Sequence, residues 1–210
     1  MPLKWAGLWY AVAMPFVAKG IVDVKKKAKI NPHFKPLLGL MAAAVFIISC
    51  MPVPVPTAGT CSHPAGTGVA AILLGPVMSI FVTAIALFIQ ALFMAHGGIT
   101  TWGANIVSMG IAGSFTGYIV FKVLRRLKVS LFISGFFAGL LADWATYAMT
   151  SFELASALHG NKPLGSLFIV ILAAFIPTQL PLGILEGFLT GGMVSFVAKR
   201  RPDILWYRKV

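Results

Sequence analysis

The chain has 210 residues, 59% hydrophobic and only 10% charged, with a mean hydropathy of +0.91. Soluble domains carry roughly a quarter charged residues, so the composition excludes an ordinary soluble domain and indicates an integral membrane protein. The formal charge of +12 does not indicate nucleic-acid binding, because fifteen of the seventeen Lys and Arg fall in three clusters, at residues 19–35, 122–128 and 199–209. Such clustering is the positive-inside signature of cytoplasmic loops in a multi-pass protein of the cell membrane.

In chain order, residues 5–22 predict a first membrane helix, kinked at Pro15. Neither a transit peptide nor a cleavable leader stands out, so this segment is expected to be retained. Gly7 and Ala11 lie one turn apart and permit close helix approach. The lysines at 25–29 read as a cytoplasmic loop. Residues 37–51 predict a second helix, ended by Pro52-Val53-Pro54-Val55-Pro56, whose alternate prolines favour extended backbone.

Two polar breaks follow. The first, residues 59–68, is glycine-rich and holds Cys61 and His63; the second, residues 96–105, begins at His96 and ends at Asn105. Between them, residues 77–95 predict a membrane helix, and residues 104–124 another, with Gly113 and Gly117 at close-packing spacing. Both flanking basic clusters belong on the cytoplasmic side, so an even number of crossings must separate them, whereas these helices make three. The fourth is placed at residues 67–75, a short apolar piece cut off by Gly75-Pro76. A piece so short must lie inside the protein, beside irregular backbone that lines a cavity.

Residues 129–149 predict the next helix, with Gly135 and Gly139 at close-packing spacing and Asp143 either facing the bundle interior or lying near the membrane interface. Glu153, His159 and Lys162 are assigned to a solvated outer loop. Residues 165–198 predict a final passage broken at Pro177-Thr178-Gln179-Leu180-Pro181 and returned to the cytoplasm by Lys199-Arg200-Arg201. The expected fold is thus an all-α integral membrane protein, a single transmembrane domain over residues 1–210, with about seven crossings and an outer N-terminus.

Imidazole suits nickel, cobalt, copper and zinc. His63 and His96 flank one apolar passage, and a fold-back of the short piece would bring them together. The first break is therefore read as carrying a metal ligand and the second as walling the same pocket, with Cys61 a neighbour rather than a ligand. Hydrogen-bonded packing is the other reading of an intramembrane histidine, and both stand at this point. Cys50 reads as buried packing. Two cysteines do not make a disulfide framework. No His-Glu-x-x-His helix, Gly-x-Ser-x-Gly elbow or phosphate-cradling glycine loop is present, so the chain reads as a transporter rather than an enzyme.

The segments Cys61-Ser62-His63-Pro64-Ala65-Gly66-Thr67-Gly68 and His96-Gly97-Gly98-Ile99-Thr100-Thr101-Trp102-Gly103-Ala104-Asn105 resemble the two signature segments of the CbiM/NikM family. The resemblance continues through Asp143, Pro177-Thr178-Gln179 and Glu186-Gly187-Phe188-Leu189-Thr190. Members of that family are the substrate-specific (S) components of energy-coupling-factor cobalt and nickel transporters. The resemblance implies a seven-helix S-component bundle that captures Co²⁺ or Ni²⁺ as substrate, with no cofactor of its own. It also implies a T-component membrane subunit, ABC-type ATPase subunits and a small accessory membrane subunit as partners. His63 matches the family's internal histidine ligand, and His96 and Asn105 match residues that border the site. The family's Met-His-Ile-Met-Glu-Gly start, whose amino group and histidine bind metal, is not matched by Met1-Pro2-Leu3-Lys4-Trp5. A start placed too late is the expected reason, and adding the hexapeptide before Leu3 is expected to strengthen binding. A non-transporting paralogue and an S component for an organic micronutrient are the competing expectations.

Overall fold

The computed structural model describes residues 1–32, 34–55, 60–94 and 96–201. Pro56 and Gly59, at the edge of the first break, Ala95 and the basic tail beyond Arg201 lie outside the described residues. Seven helices are present among those described: α1 (Leu3–Ile30), α2 (Phe34–Ser49), α3 (Thr67–Leu74), α4 (Pro76–Phe93), α5 (Ile99–Arg126), α6 (Leu131–Leu158) and α7 (Leu164–Arg200). All but α2 and α3 are long and apolar enough to cross a bilayer. Between α2 and α3, β1 (Val53–Val55) pairs antiparallel with β2 (Thr60–Ser62).

Helix α3 lies where the short interior piece is expected. Its eight residues are all buried, and at ~1.5 Å per residue they cannot cross a core of ~30 Å. Gly75 ends it in a left-handed conformation, φ 90°, and Pro76 opens α4 at a position where its missing N–H costs nothing. Glycines let α3 sink into the bundle. A Cβ on Gly68 would stand 3.0 Å from the Gly139 Cα of α6, and one on Gly139 only 2.5 Å from Thr190 Oγ1 of α7. Three helices therefore meet almost backbone to backbone just below the first polar break. Gly7, by contrast, has nothing within 4 Å of its Cβ direction, so that predicted contact is not made inside the chain.

Three boundaries differ from expectation. The lysines at 25–29 are not a loop but continue α1 to Ile30. Lysine is a good helix former, and cations are favoured at the carboxyl end by the helix dipole. Helix α6 runs nine residues past the predicted end, to Leu158, so Glu153 is not in a solvated loop; it is 2% exposed. Helix α7 is not broken at Pro177 and Pro181, which lie inside it. Side-chain donors bond carbonyls beside the two prolines: Thr178 Oγ1 donates to the Phe175 carbonyl (3.0 Å) and Trp144 Nε1 to the Gln179 carbonyl (3.0 Å).

Helix α5 carries a π-helical stretch, Ile106–Gly113. Such wide turns occur mostly near functional sites, and this one begins next to Asn105.

The positive-inside clusters give a testable orientation. A single cysteine at residue 160, in a chain lacking Cys50 and Cys61, is expected to react with an impermeant maleimide from outside the cell. Reaction from the cytoplasmic side alone would overturn the orientation.

Candidate metal centre

The hairpin delivers the first break to the interior. Ser62 Oγ lies 2.7 Å from Thr178 Oγ1 of α7, which pins the end of β2. Tyr147 of α6 then clasps the His63 backbone, its hydroxyl accepting from the His63 N–H (2.7 Å) and donating to the His63 carbonyl (3.1 Å). Beyond it, the Glu186 carboxylate of α7 accepts from the Ala65 N–H (2.5 Å) and the Gly66 N–H (2.9 Å). Those amides stand at the N-terminus of α3, where the helix dipole favours a negative group. Gly66 makes the turn into α3 with φ 70°, a left-handed conformation that glycine adopts freely.

The imidazole of His63 is held in one tautomer. Nδ1 lies 3.0 Å from the Pro64 carbonyl, which can only accept, so Nδ1 carries the proton and Nε2 keeps its lone pair. Burial, with His96 nearby adding to it, pulls the His63 pKa down to about 4 against the raising effect of the Pro64 bond. The ring is therefore neutral at physiological pH. A tautomer fixed through the remote nitrogen is how a histidine is prepared for metal ligation.

The second break folds over this ring. The His63 and His96 centroids are 4.8 Å apart, edge to face, and His96 Nε2 is 2.9 Å from Cys61 Sγ. Burial lowers the His96 pKa and raises that of Cys61, so the pair shares a hydrogen bond and no charge. Gly97, φ 74°, is needed where the chain bends, because a Cβ there would lie 2.9 Å from Asn105 Nδ2. Trp102 Nε1 donates to the Ala84 carbonyl (3.0 Å) and ties the segment to α4.

Cys61, His63, His96 and Asn105 all line one cavity of about 180 Å³, and Met1 lines it too. The structure thus brings together the four residues singled out in the sequence. Among the described residues, no three His, Cys, Asp and Glu side chains form a group able to hold a metal ion. What the interior offers is a prepared imidazole with a second beside it.

The match to known proteins follows the same residues. The family profile described as the CbiM cobalt uptake substrate-specific transmembrane region matches residues 1–204. The chain belongs to the CbiM family. The cobalt transport protein CbiM of Geobacter sulfurreducens is 60% identical over 205 residues, which are 98% of this chain and 59% of that relative. The chain therefore spans about three fifths of that relative's length. The Sorangium cellulosum cobalt transport protein CbiM is 56% identical, covering 98% of this chain and 91% of its own. A crystallised truncated transition metal transporter superposes with a TM-score of 0.83 at 25% identity, over 95% of this chain and 96% of that one. Membership, with five helices long and apolar enough to cross a bilayer, makes this a multi-pass membrane protein.

Tyr147, Glu153 and Glu186 were not read from the sequence as site residues. A signal did exist for the first two. Asp143, Thr146, Tyr147, Thr150 and Glu153 recur at spacings of three or four and make one polar stripe on an apolar helix.

Proposed function

We propose that this chain is the substrate-binding membrane component of an ATP-driven energy-coupling-factor importer, and that it captures divalent cobalt or nickel from outside at His63. The observation that carries the reading is the preparation of His63. Its Nδ1 is committed to Pro64, its backbone is held by Tyr147, and its neutral Nε2 is the donor left for a cavity shared with His96. The relatives' printed names favour cobalt. Nickel stands beside it because the Irving–Williams order places Ni²⁺ above Co²⁺ at most nitrogen sites.

In this role His63 supplies one nitrogen donor, while His96 and Asn105 border the ion and cover it. Cys61 holds His96 in place through its thiol. The N-terminal residues reach the same cavity at Met1 and are the nearest source of further donors. A T-component subunit and ABC-type ATPases supply the energy in this reading, acting on a capture chain that performs no chemistry on its substrate.

The test is calorimetric titration of the purified protein with Co²⁺ and Ni²⁺. Saturable binding with one ion per chain is expected; absence of any binding, with or without the family's N-terminal hexapeptide, would sink the reading. Cys61→Ser is expected to keep affinity within a few fold, since a hydroxyl can also bond the His96 ring. Complete loss would make Cys61 a ligand.

A further inference from the structure

Helix α6 carries a buried carboxylate whose position the capture role of His63 does not explain. Glu153 is 2% exposed and lines the same cavity as His63, His96 and Asn105. Its Oε1 is buried without a hydrogen-bond partner. Of the described residues lining the cavity, it is the one carboxylate. Ser108, from the π-helical stretch of α5, stands against the carboxyl while donating to the Ala104 carbonyl (3.2 Å).

Buried polar atoms in native proteins nearly always have a partner, and an exception calls for an explanation. No charged side chain stands beside it to form an ion pair, because the other side chains on this wall are imidazole, thiol, amide, hydroxyl and apolar groups, with Met1 among them. A divalent cation bound only by neutral donors carries both its charges into a low-dielectric interior, which is severely unfavourable. A carboxylate facing the same cavity removes much of that cost.

We propose that Glu153 balances the charge of the captured divalent cation, either by direct contact or through an amine or water that ligates it. The proposal rests on the metal-capture reading of His63 and adds to it a counter-charge on another helix. It also gives the wide turn of α5 a purpose. The irregular stretch sets Ser108 beside the carboxyl on the cavity wall.

The experiment compares the full-length parent with Glu153→Gln, Glu153→Asp and His63→Ala, each titrated with Co²⁺ and with Ni²⁺ and each melted without metal. Glu153→Gln is expected to weaken affinity by about 10–100-fold, the range typical of groups that support a metal site without being its principal ligands. Glu153→Asp, which keeps the charge, is expected to lie much closer to the parent. The metal-free melting temperature should not fall in Glu153→Gln, because Oε1 has no bond to lose and glutamine keeps the shape of the side chain and an oxygen for Ser108. Unchanged affinity in Glu153→Gln, beside lost binding in His63→Ala, would overturn this proposal alone. Unchanged affinity in His63→Ala would overturn both. A metal-free melting temperature lowered in both position-153 variants would make Glu153 a structural residue and overturn the proposal as well.

Discussion

His63→Ala is expected to abolish high-affinity Co²⁺ and Ni²⁺ binding, and with it uptake, while the protein inserts and purifies normally. The effect should exceed the roughly 10–100-fold typical of outer-shell partners, because the substitution removes a nitrogen donor outright. The fold is expected to survive for a specific reason. Both Tyr147 bonds go to the His63 backbone, and the Glu186 bonds go to the amides of Ala65 and Gly66. None uses the imidazole, so alanine leaves the segment seated and takes away only the ring. Titration and cellular uptake, measured beside a thermal melt, separate the two effects. Unchanged uptake by the mutant would remove His63 from the site.

The second large effect is expected at Glu186, through stability as well as binding. Its carboxylate is 1% exposed and satisfies two buried amides at the start of α3. Glu186→Ala leaves both without an acceptor, at about 1–3 kcal/mol each, against a typical total stability of ~5–15 kcal/mol. Glutamine should not restore the wild-type behaviour, because its amide offers one acceptor oxygen and turns an NH₂ donor toward the other N–H. Both variants are thus expected to melt earlier and to bind metal more weakly, alanine most of all. A melting curve unchanged in Glu186→Ala would show that water or a neighbouring group replaces the carboxylate, and that α3 does not depend on it.

Much of this arrangement was legible in the chain. Gly75-Pro76 and the lysine clusters together forced a short interior helix, and α3 lies there, one residue shorter than predicted. His63 and His96 were conspicuous because charge and polarity are rare in this sequence, and the fold brings their rings to 4.8 Å. What escaped reading depends on partners distant in sequence. Glu186 was given no role in the sequence because its acceptor role exists only once residues 65 and 66 lie against α7. Pro177 and Pro181 looked like breaks because each removes a helix donor, yet α7 runs on through both, with Trp144 of another helix bonded to the Gln179 carbonyl between them. Glu153 was misassigned for a local reason: the apolar signal fades after Met149, yet helical backbone continues along the polar face that lines the cavity.

The bonds that seat the first polar break also fix when it can be completed during synthesis. Tyr147 lies 84 positions after His63, Thr178 lies 116 after Ser62, and Glu186 lies 121 after Ala65. A ribosome that has made α1 to α5 has produced both histidines and Pro64 but not the Tyr147 hydroxyl that holds the His63 backbone. Contacts so remote along the chain form late, because the intervening loop must close before they reward it. The nascent chain therefore displays both imidazoles before the first break is seated, and that seating is complete only when the last helix enters the bundle. A chain released before α7 would carry every residue of the two breaks and still lack the Glu186 and Thr178 holds on the first.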